Sequence, residues 1–215
     1  MVEFFLNNKK VVAKDDETIW AVAKREGITL PHLCFADKPG YRADGNCRAC
    51  MVSIEGERVL AASCIRKPTE GMKVVTNDER SIKSRKMVLE LLVTDQPDRD
   101  TSHDPDSHFW KIASDIDVEK SRFEKREKKI VPCEDSSHVA MSVNLDACIH
   151  CNLCVRACRE VQVNDVIGMG NRGHHSKVVF DFNDPMGDSS CVSCGECVQA
   201  CPTGALMESN LLDDN

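Results

Sequence analysis

Alternation of apolar and polar residues opens the chain. Val2–Leu6 and Lys10–Ala13 read as two short strands, and the Asn7-Asn8 pair between them suits a hairpin turn. The period then changes. Asp16 or Thr18 can cap a helix through Ile19, Trp20, Val22 and Ala23 that ends at Gly27, a residue suited to the left-handed position after a helix. Further strands are expected at Met51–Ile54, Arg58–Ala61 and Met72–Val75, with Glu55-Gly56 turning between the first two. Strand, strand, helix and short strands is the order of a β-grasp domain. From Ser81 to Val93 apolar residues at Ile82, Met87, Val88, Leu91 and Leu92 share roughly one helical face. Thr94–Ser137 is rich in Asp, Pro, His and Lys and holds a charge run from Glu119 to Lys129, which predicts a solvated helix or linker. Asp165–Met169 and Lys177–Phe182 read as two more strands joined through Gly170–Gly173, and the polar tail from Ser209 to Asn215 is expected to fray.

Composition sharpens this outline. The chain has 215 residues, and thirteen of them are cysteine. The formal charge of −7 has no long basic stripe to offset it, which argues against nucleic acid as a partner. The longest apolar stretches fall far short of the ~18 residues of a spanning helix, so no direct membrane insertion is expected. Met1–Leu6 has an acidic residue where a signal peptide has a cationic head, and the expected address is cytoplasmic. Cytosolic thiols are kept reduced, so the cysteines point to metal rather than to disulfides. Only ten aromatic residues against 29% charged is thin for one large core, and two small domains stapled by inorganic cofactors are expected.

The cysteines are ordered. Cys148–Cys158 and Cys191–Cys201 both obey C-[IV]-x-C-x-x-C-V-x-A-C, an eleven-residue internal repeat. This C-x2-C-x2-C-x3-C run, found twice, is the spacing of two-cluster bacterial ferredoxins, in which the fourth cysteine of each run crosses to the other cubane. Cys148, Cys151, Cys154 and Cys201 are therefore assigned to one [4Fe–4S] cluster, and Cys191, Cys194, Cys197 and Cys158 to the other. Gly195 and Gly204 fit a backbone that must approach the sulfides. Near the N-terminus, Cys34, Cys47, Cys50 and Cys64 form C-x12-C-x2-C-x13-C, which suits one [2Fe–2S] cluster on loops, with Gly40 and Gly45 letting the chain wrap it. Zinc competes in each case, as a zinc-stapled assembly module. Two four-cysteine runs this dense carry too many thiolates for the separated pairs that zinc uses. Cys133 is left over as a free thiol, and His103 and His108 lack cysteine neighbours for a fourth site. His32, His150, His174 and His175 read as polar surface residues rather than ligands.

No Gly-rich dinucleotide fingerprint, P-loop or nucleophile set stands apart from these cysteines, so no catalytic residue is assigned. Three clusters in one small chain make a wire, joining two-electron chemistry to a second cofactor, a flavin, carried elsewhere. Arg156 and Arg159 flank Cys158, and their charges are expected to raise the potential of the Cys191, Cys194 and Cys197 cluster by favouring its reduced state.

The motifs resemble a known family. Leu30–Cys34, Gly45–Cys50, Cys148–Gly168, Asp184–Asp188 and Cys191–Leu206 are similar to the N-terminal iron–sulfur region of the alpha subunit of NAD-linked molybdenum or tungsten formate dehydrogenases. That region is similar in turn to the complex I large iron–sulfur subunit and to the diaphorase part of NAD-reducing hydrogenases. The resemblance implies an α+β chain: a β-grasp [2Fe–2S] domain over 1–80, a helical and charged linker over 81–137, a two-[4Fe–4S] ferredoxin-type domain over 138–208, and a tail over 209–215. It also implies electron exchange between a molybdopterin-containing catalytic subunit and a subunit binding FMN and NAD(H), or the wiring of another NAD-linked oxidoreductase such as a hydrogenase. The family's H-x3-C-x2-C-x5-C site is missing its cysteines from Thr101–Trp110, so that cluster is expected to be absent. In that case either the two domains approach closely or a partner cluster bridges them.

Overall fold

The structure, a computed structural model, describes residues 1–125 and 134–212, apart from the side chain of His174. Cys133 and much of the charge run lie outside the described residues.

The hairpin forms as its pattern predicts: β1 (Val2–Leu6) and β2 (Lys9–Ala13) pair antiparallel, and Asn7 and Asn8 both take positive φ. Thr18, not Asp16, caps α1 (Ile19–Arg25), its hydroxyl accepting from the Ala21 amide. Gly27 follows at φ +78°. β3 (Met51–Ile54) and β5 (Lys73–Val75) also sit where alternation puts them, but the strand expected at Arg58–Ala61 shrinks to the two-residue β4 (Ala61–Ala62). The sheet order is β2-β1-β5-β3-β4, with β1 and β5 parallel. Phe4, Leu6, Ile19, Val22, Val52 and Val74 form its core under α1. This is the β-grasp arrangement.

The middle of the chain departs from expectation. α2 (Glu79–Thr94) starts two residues early, because Asp78 accepts from the Ser81 amide. Arg85 ties α2 to the sheet through the carbonyls of Met51 and Thr76 at 3.0 and 2.7 Å. The stretch expected to be a solvated linker holds α3 (His108–Asp115), whose Phe109, Trp110, Ile112 and Ala113 are buried. Phe-Trp-x-Ile-Ala is apolar enough to form a core, and the surrounding charge masks it in a window average. With Leu89 and Val93 of α2, these residues enclose Leu33 and Ala49. Leu33 precedes Cys34 and Ala49 lies between Cys47 and Cys50, so the middle helices wall the N-terminal cysteine loops.

The C-terminal part begins with β6 (Glu134–Asp135) and β7 (Met141–Asn144). The first repeat supplies α4 (Leu153–Arg156), which runs on as a π-helical turn, Ala157–Val161. β8 (Ile167–Gly170) and β9 (Lys177–Phe180) form a hairpin, shifted slightly from the predicted strands. The second repeat supplies α5 (Glu196–Ala200), and β10 (Leu206–Glu208) then pairs antiparallel with β7. The two halves touch directly. The Phe109 amide donates to Pro202 O at 2.8 Å, Gln96 Nε2 to Ala147 O at 3.1 Å, and the Tyr41 hydroxyl to Glu196 Oε1 at 2.9 Å.

Candidate iron–sulfur centres

The structure brings predicted cysteines near one another in three places. In the first, the Cys34 thiol is held far below the usual range because the thiols of Cys47 and Cys64 donate to it, with burial opposing. Cys64 is correspondingly pushed up, as donor to both Cys34 and Cys50. Main-chain amides add to the pattern: Cys47 N–H points at Cys34 Sγ at 3.4 Å, and Ala49 N–H at Cys47 Sγ at 3.5 Å. Two local features shape these loops. Gly45 has φ +64°, which favours glycine, and a Cβ there would meet Ile65 Cδ1 at 2.7 Å, so the Ile65 side chain would have to shift. Arg48 takes φ +60°, which turns the Cys47–Cys50 step back on itself.

The other two sets share one backbone device. His150 and Asn152, on either side of Cys151, have φ of +53° and +62°; Ser193 and Gly195, on either side of Cys194, have +56° and +74°. Alternating hands of this kind turn successive N–H groups to one side, a concavity that favours negative charge. Each repeat thereby turns two thiols around a corner before its helix starts and carries the third on the first turn of that helix. Burial pushes Cys151 and Cys154 up, and both also feel the charges of Cys148 and Cys201. Cys197 is pushed up to about 12, first by burial and then by Cys191, Cys194 and Cys158. Cys201 thus lies near Cys151 and Cys154, and Cys158 near Cys197, while Cys151 also feels Cys34 and Cys154 also feels Cys197. Around the last set lies a cleft lined by Cys158, Cys191, Cys194 and Cys197 with Val166 and Ile167. The Val166 amide donates to Cys158 Sγ at 3.3 Å and the Ser193 amide to Cys191 Sγ at 3.4 Å.

These donor sets fit iron–sulfur clusters. Several thiolates held close together in buried surroundings repel one another and lose solvation, so the charged form is costly without a compensating cation. Iron supplies that charge, and amides aimed at sulfur are the outer contacts that tune such sites.

Several residues escaped sequence reasoning. Arg156 is 2% exposed and reaches across the domain boundary, donating from Nη2 to Cys34 O at 2.6 Å and to Cys151 O at 3.5 Å, and pairing through Nη1 with Asp44. It therefore faces Cys34 and Cys151 rather than the last set, where the sequence had placed its influence. Arg159 is exposed and pairs with Asp165. His138 is buried: its Nδ1 accepts from the Ala140 amide at 3.1 Å, which leaves Nε2 protonated and 3.0 Å from Ser193 Oγ, steadying the turn before Cys194. His32 is not a surface residue. Its ring packs edge-on to Trp20 and His108, with centroids 4.7 and 4.9 Å apart. Burial, with His108 beside it, lowers its pKa to about 4. Gly204, expected to approach a sulfide, instead leaves room for Asp104, whose Cβ would lie 2.5 Å from an added Cβ. No short motif marks Tyr41, Asp44 or His138, because their partners lie far away in the chain.

Comparison with known proteins agrees with this geometry. Residues 1–79 match the model of the 2Fe-2S iron-sulfur cluster binding domain, and residues 147–205 that of the 4Fe-4S dicluster domain. The NADP-reducing hydrogenase subunit HndD of Solidesulfovibrio fructosivorans is 31% identical over 97% of this chain and 36% of its own length. A putative formate dehydrogenase of Staphylococcus haemolyticus is 29% identical over 87% of this chain and 19% of its own. An NADH-quinone oxidoreductase subunit of Rhizobium meliloti is 30% identical over 96% of this chain and 24% of its own. The chain thus spans little more than a third, or less, of these curated relatives. A crystal structure of NAD+-reducing [NiFe]-hydrogenase superposes with a TM-score of 0.86 at 25% identity, covering 97% of this chain and 87% of that one. Among the described residues no helix is long and apolar enough to cross a membrane. The chain is thus similar to part of an NADP-reducing hydrogenase subunit, of putative formate dehydrogenases and of an NADH-quinone oxidoreductase subunit, and it carries a 2Fe-2S domain followed by a 4Fe-4S dicluster domain.

Proposed function

We propose that this chain is a one-electron conduit between an NAD(P)H-linked flavin subunit and a catalytic site for small-molecule oxidation or reduction, both carried outside residues 1–215. In this reading Cys34, Cys47, Cys50 and Cys64 hold the [2Fe–2S] cluster; Cys148, Cys151, Cys154 and Cys201 hold one [4Fe–4S] cluster; and Cys191, Cys194, Cys197 and Cys158 hold the other. A bound cluster takes up and gives back one electron at a time. The chain's own residues fix the order of the three sites and bury most of the N-terminal one. The observation that carries the reading is their continuity: Cys34 belongs to the same buried cluster of side chains as Cys151 and Cys197, so the three cysteine sets adjoin within one core. This direct approach of the domains supports conduction across them without an intervening cluster. At the far end Cys194 is exposed, which suits contact with a further redox protein.

Two assignments of the complex compete. A formate-oxidising or CO2-reducing molybdopterin partner is supported by the formate-dehydrogenase-like stretch around Cys148–Gly168 and by the putative formate dehydrogenases among the relatives. A hydrogenase partner is supported by the relative that matches 97% of this chain and by the superposed hydrogenase structure. Iron and acid-labile sulfide assays on the purified chain test the conduit itself, with about ten of each expected. Stoichiometric zinc in place of iron would end the proposal. Affinity purification from the native cell then separates the two complexes by the subunits recovered with this chain.

A further inference from the structure

Among the described residues Arg156 is the only buried arginine or lysine. Asp44, its carboxylate partner among those residues, is shared with Arg42. Its Nε is buried without a hydrogen-bond partner. Its remaining contacts are the main-chain carbonyls of two cysteines, Cys34 and Cys151, from opposite sides of the domain boundary. A guanidinium in such a place is disfavoured by desolvation unless negative charge lies close by. Glu160 also acts on Arg156 but is paired with Arg42, and the stronger negative influence is that of Cys34 and whatever its thiolate binds.

We propose that Arg156 sets the redox potential of the N-terminal centre relative to its neighbour, its charge bridging Cys34 and Cys151 so that an electron arriving at either site is stabilised by the same cation. The inference rests on the assignment of these cysteines to a [2Fe–2S] and a [4Fe–4S] cluster. Reduction adds one negative charge to a cluster, and a fixed positive charge in a water-poor boundary favours that state. The shorter contact, 2.6 Å to Cys34 O against 3.5 Å to Cys151 O, makes the [2Fe–2S] centre the more sensitive of the two. Arg159, one turn on, has a side chain that is 55% exposed and paired with Asp165, so solvent screens it. It serves as the control.

The experiment is an EPR-monitored redox titration of the intact chain and three variants. Arg156→Met, which keeps bulk and removes charge, is expected to lower the [2Fe–2S] midpoint most and the neighbouring [4Fe–4S] midpoint less. Asp44→Asn leaves Arg156 with less compensation and is expected to shift the [2Fe–2S] midpoint upward, whereas Arg159→Gln is expected to leave it in place. A purely structural Arg156 predicts no opposition in sign between the first two variants. The proposal is overturned if neither variant moves the [2Fe–2S] midpoint, if both move it in the same direction, or if Arg159→Gln moves it as far as Arg156→Met. Should Arg156→Met fail to hold iron, Asp44→Asn decides alone: a raised midpoint supports the proposal, and an unchanged or lowered one overturns it. Absence of cluster signals from the unaltered chain would instead fail the cluster assignment beneath it.

Discussion

The N-terminal cysteine set and the last C-terminal set are opposites in construction. Cys34, Cys50 and Cys64 are buried and come from loops separated by a dozen residues, whereas Cys191, Cys194 and Cys197 come from one short turn with Cys194 exposed. The compact set is made by local backbone geometry: positive φ at Ser193 and Gly195 brings Cys191 and Cys194 round to Cys197 on the first turn of α5. The dispersed set is made by tertiary packing, since Leu33 and Ala49, which position its loops, are held by α2 and α3. A centre of the first kind takes three of its cysteines from seven consecutive residues, with Cys158 as the fourth, and tolerates a surface position. A centre of the second kind depends on a core drawn from three parts of the chain.

This contrast can be broken in several ways. The largest effects come from the ligands. Cys50→Ala is expected to abolish the [2Fe–2S] signal and remove about two of about ten irons while the C-terminal signals survive. Cys158→Ala, by contrast, is expected to damage the cluster of Cys191, Cys194 and Cys197 and spare the one whose first three ligands lie beside it in sequence. Iron analysis with EPR reads both, and loss of the Cys148, Cys151 and Cys154 cluster instead would refute the crossed pattern. Next in size is Phe109→Ala. Phe109 is 0% exposed, and its truncation should cost about 3–5 kcal/mol in the core that seats the N-terminal loops. Thermal bleaching followed by EPR should then show the [2Fe–2S] signal lost first; equal sensitivity of all three centres would remove the distinction drawn here.

Glycine substitutions give the smallest and most local contrast. Gly45→Ala meets both a positive φ and Ile65, and should cost more than the ~1 kcal/mol of backbone strain alone. Gly195→Ala, with nothing within 4 Å of an added Cβ, should cost about 1 kcal/mol from φ alone. Denaturation midpoints compare the two, and a larger penalty at Gly195 would contradict the packing argument.

The same division explains what could be read from the sequence. The eleven-residue repeat, the β1–β2 hairpin and the Gly27 helix end are local patterns with local causes, and they appear in the structure where the residues place them. The buried α3 was hidden because its five-residue apolar segment lies in a charged stretch, where composition points to solvent. Tyr41, Asp44 and the contacts of Arg156 were hidden for a different reason. Their partners are more than a hundred residues away, and no pattern along the chain encodes a contact across a domain boundary. The repeat itself misled in one respect: placing Arg156 beside Cys158 suggested influence on the last cluster, whereas the helical direction of α4 carries its side chain toward Cys34.

The central claim is that the dispersed and compact centres form one continuous path, with the Cys34 set lying against the Cys151 set. Magnetic coupling tests this most directly. In the fully reduced chain the [2Fe–2S] centre and the adjacent [4Fe–4S] centre are both paramagnetic, and continuity predicts spin–spin broadening and faster relaxation of the [2Fe–2S] signal when its neighbour becomes reduced. A fully reduced spectrum equal to the plain sum of isolated clusters, with [2Fe–2S] relaxation unchanged by reduction of the neighbour, would contradict the account.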